Sequence, residues 1–90
     1  MSIRIGELID SEVSQLLIDF TDRVDRAEAS VSTGVGTSTL RDITYRTNVV
    51  TERNFEGLKV LLRKAEENAE TSYKKSRKGK KDIKAILDTI

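Results

Sequence analysis

The chain has 90 residues with 16 Lys or Arg and 15 Asp or Glu, a formal net charge of +1, and neither cysteine, histidine, proline nor tryptophan. Without Cys or His it lacks the residues that most often make nucleophile–base pairs and transition-metal sites, so disulfides, thiolate metal sites and Ser-His or Cys-His catalysis are excluded. A single domain of this size has a small core, and burial against a partner chain is the natural source of further stability.

Charge is unevenly spread. Residues 1–37 carry three basic and seven acidic side chains, and residues 38–90 carry thirteen basic and eight acidic ones. Opposite halves favour a chain that folds back on itself. A proline-free sequence rich in Leu, Ile, Glu, Lys and Arg reads as helical.

The opening Ser2-Ile3-Arg4-Ile5-Gly6 alternates apolar and polar and suits a short extended arm. It has no sustained apolar region of a cleavable signal, and no stretch reaches the roughly 20 apolar residues of a membrane span. From about residue 7 the period becomes helical. Val13, Leu17, Phe20, Val24, Ala27 and Val31 follow a 4-3-4-3-4 spacing, which predicts helix 1 at about 7–31 with one apolar face.

Residues 32–38, with Gly34 and Gly36 among four hydroxyl residues, are the predicted turn. Thr39-Leu40-Arg41-Asp42 fits a capping box, with Ser38 as an alternative N-cap, and starts helix 2 at about 39–77. Leu40, Ile43, Val50 and Leu61 are expected to face Val13, Leu17, Phe20 and Val24. Thr47, Asn54 and Gly57 interrupt that first stripe. A second stripe runs through Leu58, Leu62, Ala65, Ala69, Ser72, Ser76, Gly79, Ile83, Ile86 and Ile90 at 4-3 spacing.

Residues 78–90 form a basic C-terminal extension. Gly79 within the run 74–81, six of whose eight residues are Lys or Arg, predicts fraying or a bend near 77–81. The fold class is all-α, an antiparallel two-helix hairpin with a long second helix. With the turn centred near residue 35, helix 1 shields helix 2 only to about residue 67. Residues from about 68 to 90 therefore overhang the hairpin, and the stripe from its edge outward, Ala65, Ala69, Ser72, Ser76, Ile83, Ile86 and Ile90, is the expected partner-binding surface.

No cofactor, metal or small-molecule substrate is expected. Paired acids such as Glu66 and Glu67 read as solvated helix faces, and Gly34-Val35-Gly36 lacks the Lys-Ser/Thr and the strand of a phosphate loop. A nucleic-acid-binding protein using the basic run 74–81 is one alternative, although a single nearby aromatic, Tyr73, and a nearly neutral chain weigh against it. A structural helical subunit of a phage or secretion apparatus is another.

Ile3-Arg4-Ile5, Ser11-Glu12-Val13, the Gly/Ser/Thr loop at 32–38, Asn48, Leu61-Leu62-Arg63-Lys64-Ala65, Thr71 with Tyr73, and Lys81-Asp82-Ile83 together resemble a family. It is the small WXG-like helical hairpins of the Gram-positive type VII secretion system, above all the small partner proteins of LXG toxins. The resemblance implies a coiled-coil-like chaperone or targeting partner that binds an LXG toxin N-terminal domain or another WXG-like protein, as a homo- or heterodimer. It implies residence in the cytoplasm before export and secretion without a cleaved signal peptide. No Trp-x-Gly stands in the turn, and Arg77 stands four residues after Tyr73 where the family's Tyr-x-x-x-Asp/Glu export signal would end. The resemblance then implies travel with a partner that supplies the signal.

Overall fold

The computed structural model describes residues 3–88, with the side chains of 73–84 and of 86 outside the described set. Among the described residues the regular structure is helical: α1 (Ser11–Phe20), α2 (Arg23–Thr33), α3 (Thr37–Thr44) and α4 (Phe55–Asp88). The molecule is elongated, 57 × 26 × 16 Å, because α4 alone holds 34 residues.

The expected helix 1 is two helices, and local hydrogen bonding explains the break. Thr21 ends α1 by donating its backbone N–H to the Leu17 carbonyl, and its hydroxyl donates to the same oxygen. Asp22 then starts α2 through a capping box. Its carboxylate accepts from the Asp25 N–H at 3.0 Å, and the Asp25 carboxylate accepts from the Asp22 N–H at 3.1 Å. Both residues flanking the break have extended backbones, so α2 leaves in a new direction.

That break changes which side chains are buried. Val13 and Leu17 lie in the core, and Phe20 is half-buried against it. Val24 is 60% exposed and Val31 89% exposed, and Ala27 is exposed as well. The continuous six-residue stripe therefore divides at residue 21, and its second half faces solvent. Ala29, off that stripe, is the buried residue of α2.

Gly34 and Gly36 lie in the turn between α2 and α3. Gly34 closes α2 in the left-handed region at φ +77°, where a β-carbon is disfavoured, and its N–H donates to the Ser30 carbonyl. α3 begins at Thr37 with Gly36 as N-cap and no side-chain cap, so neither Thr39 nor Ser38 holds that place.

The expected helix 2 is also interrupted. α3 ends at Thr44, Arg46 adopts φ +60°, and its Nε donates to the Ile9 carbonyl at 2.8 Å. Residues 45–54 then return the chain to the start of α4. Val50 and the N-terminal arm exchange backbone bonds there, Gly6 N–H to the Val50 carbonyl and Val50 N–H to the Glu7 carbonyl. A reciprocal pair starts the next helix: the Thr51 N–H donates to Asn54 Oδ1, and the Asn54 N–H donates to Thr51 Oγ1. Asn54 is buried, and its amide also donates to the Val49 carbonyl. It is a buried cap, which is why it interrupts the apolar stripe. α4 continues through Gly79 to Asp88, so the helix neither frays nor ends at 77–81.

The main core joins Ile9, Val13 and Leu17 to Ile43, Val50, Leu58, Leu61 and Ala65. A second cluster joins Ala29, Val35 and Leu40, with Val60 against it. Gly57 is buried at the closest approach: a β-carbon there would lie 2.8 Å from Val35 and 2.9 Å from Leu40. Leu40, Ile43, Val50 and Leu61 are all fully buried; of the set they were expected to face, Val13 and Leu17 are buried, Phe20 is half-buried and Val24 is exposed, and Leu40 packs on Ala29 and Val35 instead of α1.

Candidate docking surface

The surface follows from how α1 and α2 flank α4. On one side α2 runs antiparallel to α4. Val35 lies at Gly57, Ala29 clusters with Val60, Glu28 bonds Lys64, and Asp25 accepts from Asn68 Nδ2 at 3.1 Å. Asn68 Nδ2 also donates to the Phe20 carbonyl at 2.7 Å, which ties the α1–α2 corner to α4. On the other side the arm that leads into α1 lies beside Val50 and α1 ends beside Asn68, so α1 runs in the same sense as α4.

Between α1 and α4 lies an apolar groove of about 180 Å³ formed by Leu16, Phe20, Leu62, Ala65 and Ala69, with Glu66 on its wall. Leu16 is 40% exposed there, Leu62 and Ala69 are half-buried, and Ala65 is buried in the core at the groove floor. Two of the sequence-derived partner residues, Ala65 and Ala69, thus share one groove. Ser72 is exposed one turn further on. The side chains of Ser76, Ile83 and Ile86, and Ile90 altogether, lie outside the described residues. Leu16 and Phe20 are the groove residues that the α4 stripe alone does not reveal. Their signal is spacing on α1: Leu16 stands four residues before the stripe residue Phe20 and so shares its side of the helix.

A second apolar surface lies on the outer side of α2, where Val24, Ala27 and Val31 line up beside Glu28 and Ser32. It is the outward half of the stripe that breaks at residue 21.

Polar contacts join the helices and their caps. Asp22 is held below its ordinary value of 3.8, chiefly because its carboxylate accepts the Asp25 N–H. Lys64 is raised above its ordinary value of 10.5, chiefly by its bond to Glu28. A polar cleft of about 470 Å³ is walled by Thr33, Gly34, Gly36, Thr39, Asn48, Thr51 and Arg53, with Asn54 engaged as a cap. Ser14, buried, donates to the Thr44 carbonyl at 2.6 Å and serves the α1–α3 contact. Among the described residues no group of three or more Asp or Glu converges as metal ligands, and no helix is long and apolar enough to cross a membrane.

No protein family, no curated protein and no solved structure matches this chain.

Proposed function

We propose that this chain is a non-enzymatic protein-binding module, a chaperone or targeting partner of a type VII secreted LXG toxin, and that it docks a helix of that toxin's N-terminal domain. The observation that carries the reading is the groove of Leu16, Phe20, Leu62, Ala65 and Ala69. It is apolar and it lies at the surface, and the α4 helix runs on past it to Asp88. Exposed apolar grooves between helices take an amphipathic helix through anchors at i, i+3, i+4 and i+7.

In this reading the hairpin of the WXG-like proteins corresponds to α2 and α4, the antiparallel pair, with α1 as an added flanking helix. The chain waits in the cytoplasm and leaves with its partner, which supplies the export signal. The test is calorimetric titration of the whole chain with the helical N-terminal domain of an LXG toxin encoded beside it. Saturable binding that Ala69→Arg weakens by more than tenfold supports the proposal. No binding up to about 100 μM, a weaker affinity than specific partners show, refutes it.

A further inference from the structure

We infer that the cleft between α2 and α3 binds a phosphate-sized oxyanion, held by Arg23, Arg26 and Arg41. These three side chains, with Thr37 and Ser38, line one depression of about 160 Å³. The fold gathers them from two helices. Arg23 and Arg26 stand three residues apart at the start of α2 and share a side of it. Thr37 and Arg41 stand four apart on α3 and likewise share a side. α2 packs on α3 across the turn at Gly34 and Gly36, which sets the two groups around one space.

This gathering of positive charge runs against the local composition. Residues 1–37 carry seven acidic and three basic side chains, and two of those three bases are Arg23 and Arg26. The neighbouring carboxylates do not neutralise them. Asp22 and Asp25 cap α2 through each other's backbone N–H, and Asp25 also accepts from Asn68. Arg41 Nη2 lies 3.5 Å from Asp42 with both side chains well exposed, a kind of pair that contributes little in water. Among the described residues neither Arg23 nor Arg26 forms a salt bridge.

Two costs follow from that arrangement. Arg23 and Arg26 stand at the positive end of the α2 dipole, where cations are disfavoured. Three guanidinium groups around one depression also repel one another. A bound dianion offsets both. Guanidinium groups bond phosphate oxygens in bidentate pairs, and the hydroxyls of Thr37 and Ser38 add two more donors. Size limits the ligand. Clefts for drug-sized molecules begin at about 300 Å³, so this depression takes a single phosphate group and not a nucleotide. The cleft shares no lining residue with the α1–α4 groove, so it is independent of the docking proposal.

Calorimetric titration of the purified full chain at low ionic strength tests it, with inorganic phosphate in one arm and glycerol 3-phosphate in the other. The two arms separate a site for the free ion from a site for a phosphate at the end of a larger molecule. Arg23→Gln and Arg41→Gln are the variants, because both residues are exposed and the fold does not depend on them. Saturable binding of either ligand with a Kd below about 5 mM supports the inference if each variant weakens it at least fivefold and Arg53→Gln leaves it unchanged, with circular dichroism the same throughout. No binding of either ligand up to about 20 mM overturns it. Binding that Arg23→Gln and Arg41→Gln leave intact also overturns it, because the phosphate then sits on the basic run 74–81 or elsewhere. So does binding that Arg53→Gln removes as strongly, which would place the phosphate in the polar cleft beside Asn48 and Thr51.

Discussion

α1 and α2 carry apolar residues at the same helical spacing, yet α1 buries its stripe and α2 turns it to solvent. Val13 and Leu17 are 5% and 0% exposed, whereas Val24 and Val31 are 60% and 89% exposed. The difference lies in neither residue type nor periodicity. It lies in the two residues between the helices, Thr21 and Asp22, whose side chains satisfy a carbonyl in the last turn of one helix, that of Leu17, and an amide in the first turn of the next, that of Asp25. Capping at this corner sets the direction of α2, and that direction decides what its valines face. A stripe of apolar residues thus marks a helix face, while the caps decide where the face points.

Substitutions sharpen the comparison, and the largest effect belongs to α1. Leu17→Ala empties a fully buried site and should cost about 2–5 kcal/mol, read by denaturant unfolding. Gly57→Ala comes next. The new β-carbon must displace Val35 or Leu40, for a loss of about 1–3 kcal/mol in the same assay. Its effect reports the closeness of the turn to α4, independently of α1.

A smaller loss is expected for Asp22→Asn, and its pH dependence identifies the cause. The folded chain holds the Asp22 carboxylate below its ordinary value, so the cap contributes fully above about pH 4, where the unfolded group is also ionised. The contribution fades as pH falls through the lower folded value. The difference in melting temperature between the wild type and Asp22→Asn should therefore be constant near neutrality and vanish in strong acid. A difference that persists below pH 2 would mean that the carboxylate charge is not what caps α2. Smallest of all, Val24→Ala and Val31→Ala should change stability by less than about 0.5 kcal/mol, as solvent-facing sites do.

Much of this was legible in the sequence. The helical character follows from composition, and the Gly34–Gly36 turn follows from a cluster with no helix former. Val13, Leu17, Leu40, Ile43, Val50 and Leu61 read as core from their spacing. The flanking helices stop near residue 67 as expected, but by another route: the α1–α2 corner at Phe20 and Asp25 meets Asn68, whereas a straight helix 1 puts the N-terminal arm there, and that arm lies at Val50 instead.

Two breaks were not read, for one shared reason. Asp22 and Asp25 fit the polar side of a continuous helix as well as they fit a capping box. Asn54 likewise passes for a weak point in a stripe, although a Thr three residues before it, Thr51, also marks a helix start. Polar residues at a break are ambiguous until the backbone direction is known. The groove was half-visible for a related reason: Ala65 and Ala69 come from a stripe, but Leu16 completes the wall only once α1 is set beside α4.

Thiol reactivity at the corner tests the central claim most directly, because the chain has no cysteine and each introduced one reports alone. Leu17→Cys, Val24→Cys and Val31→Cys should be compared at low micromolar concentration in native buffer and in denaturant. The cysteines at 24 and 31 should react at nearly their unfolded rates, and the one at 17 should be strongly protected. Protection at position 24 equal to that at 17 would contradict the claim, because a single unbroken helix from about 7 to 31 buries both.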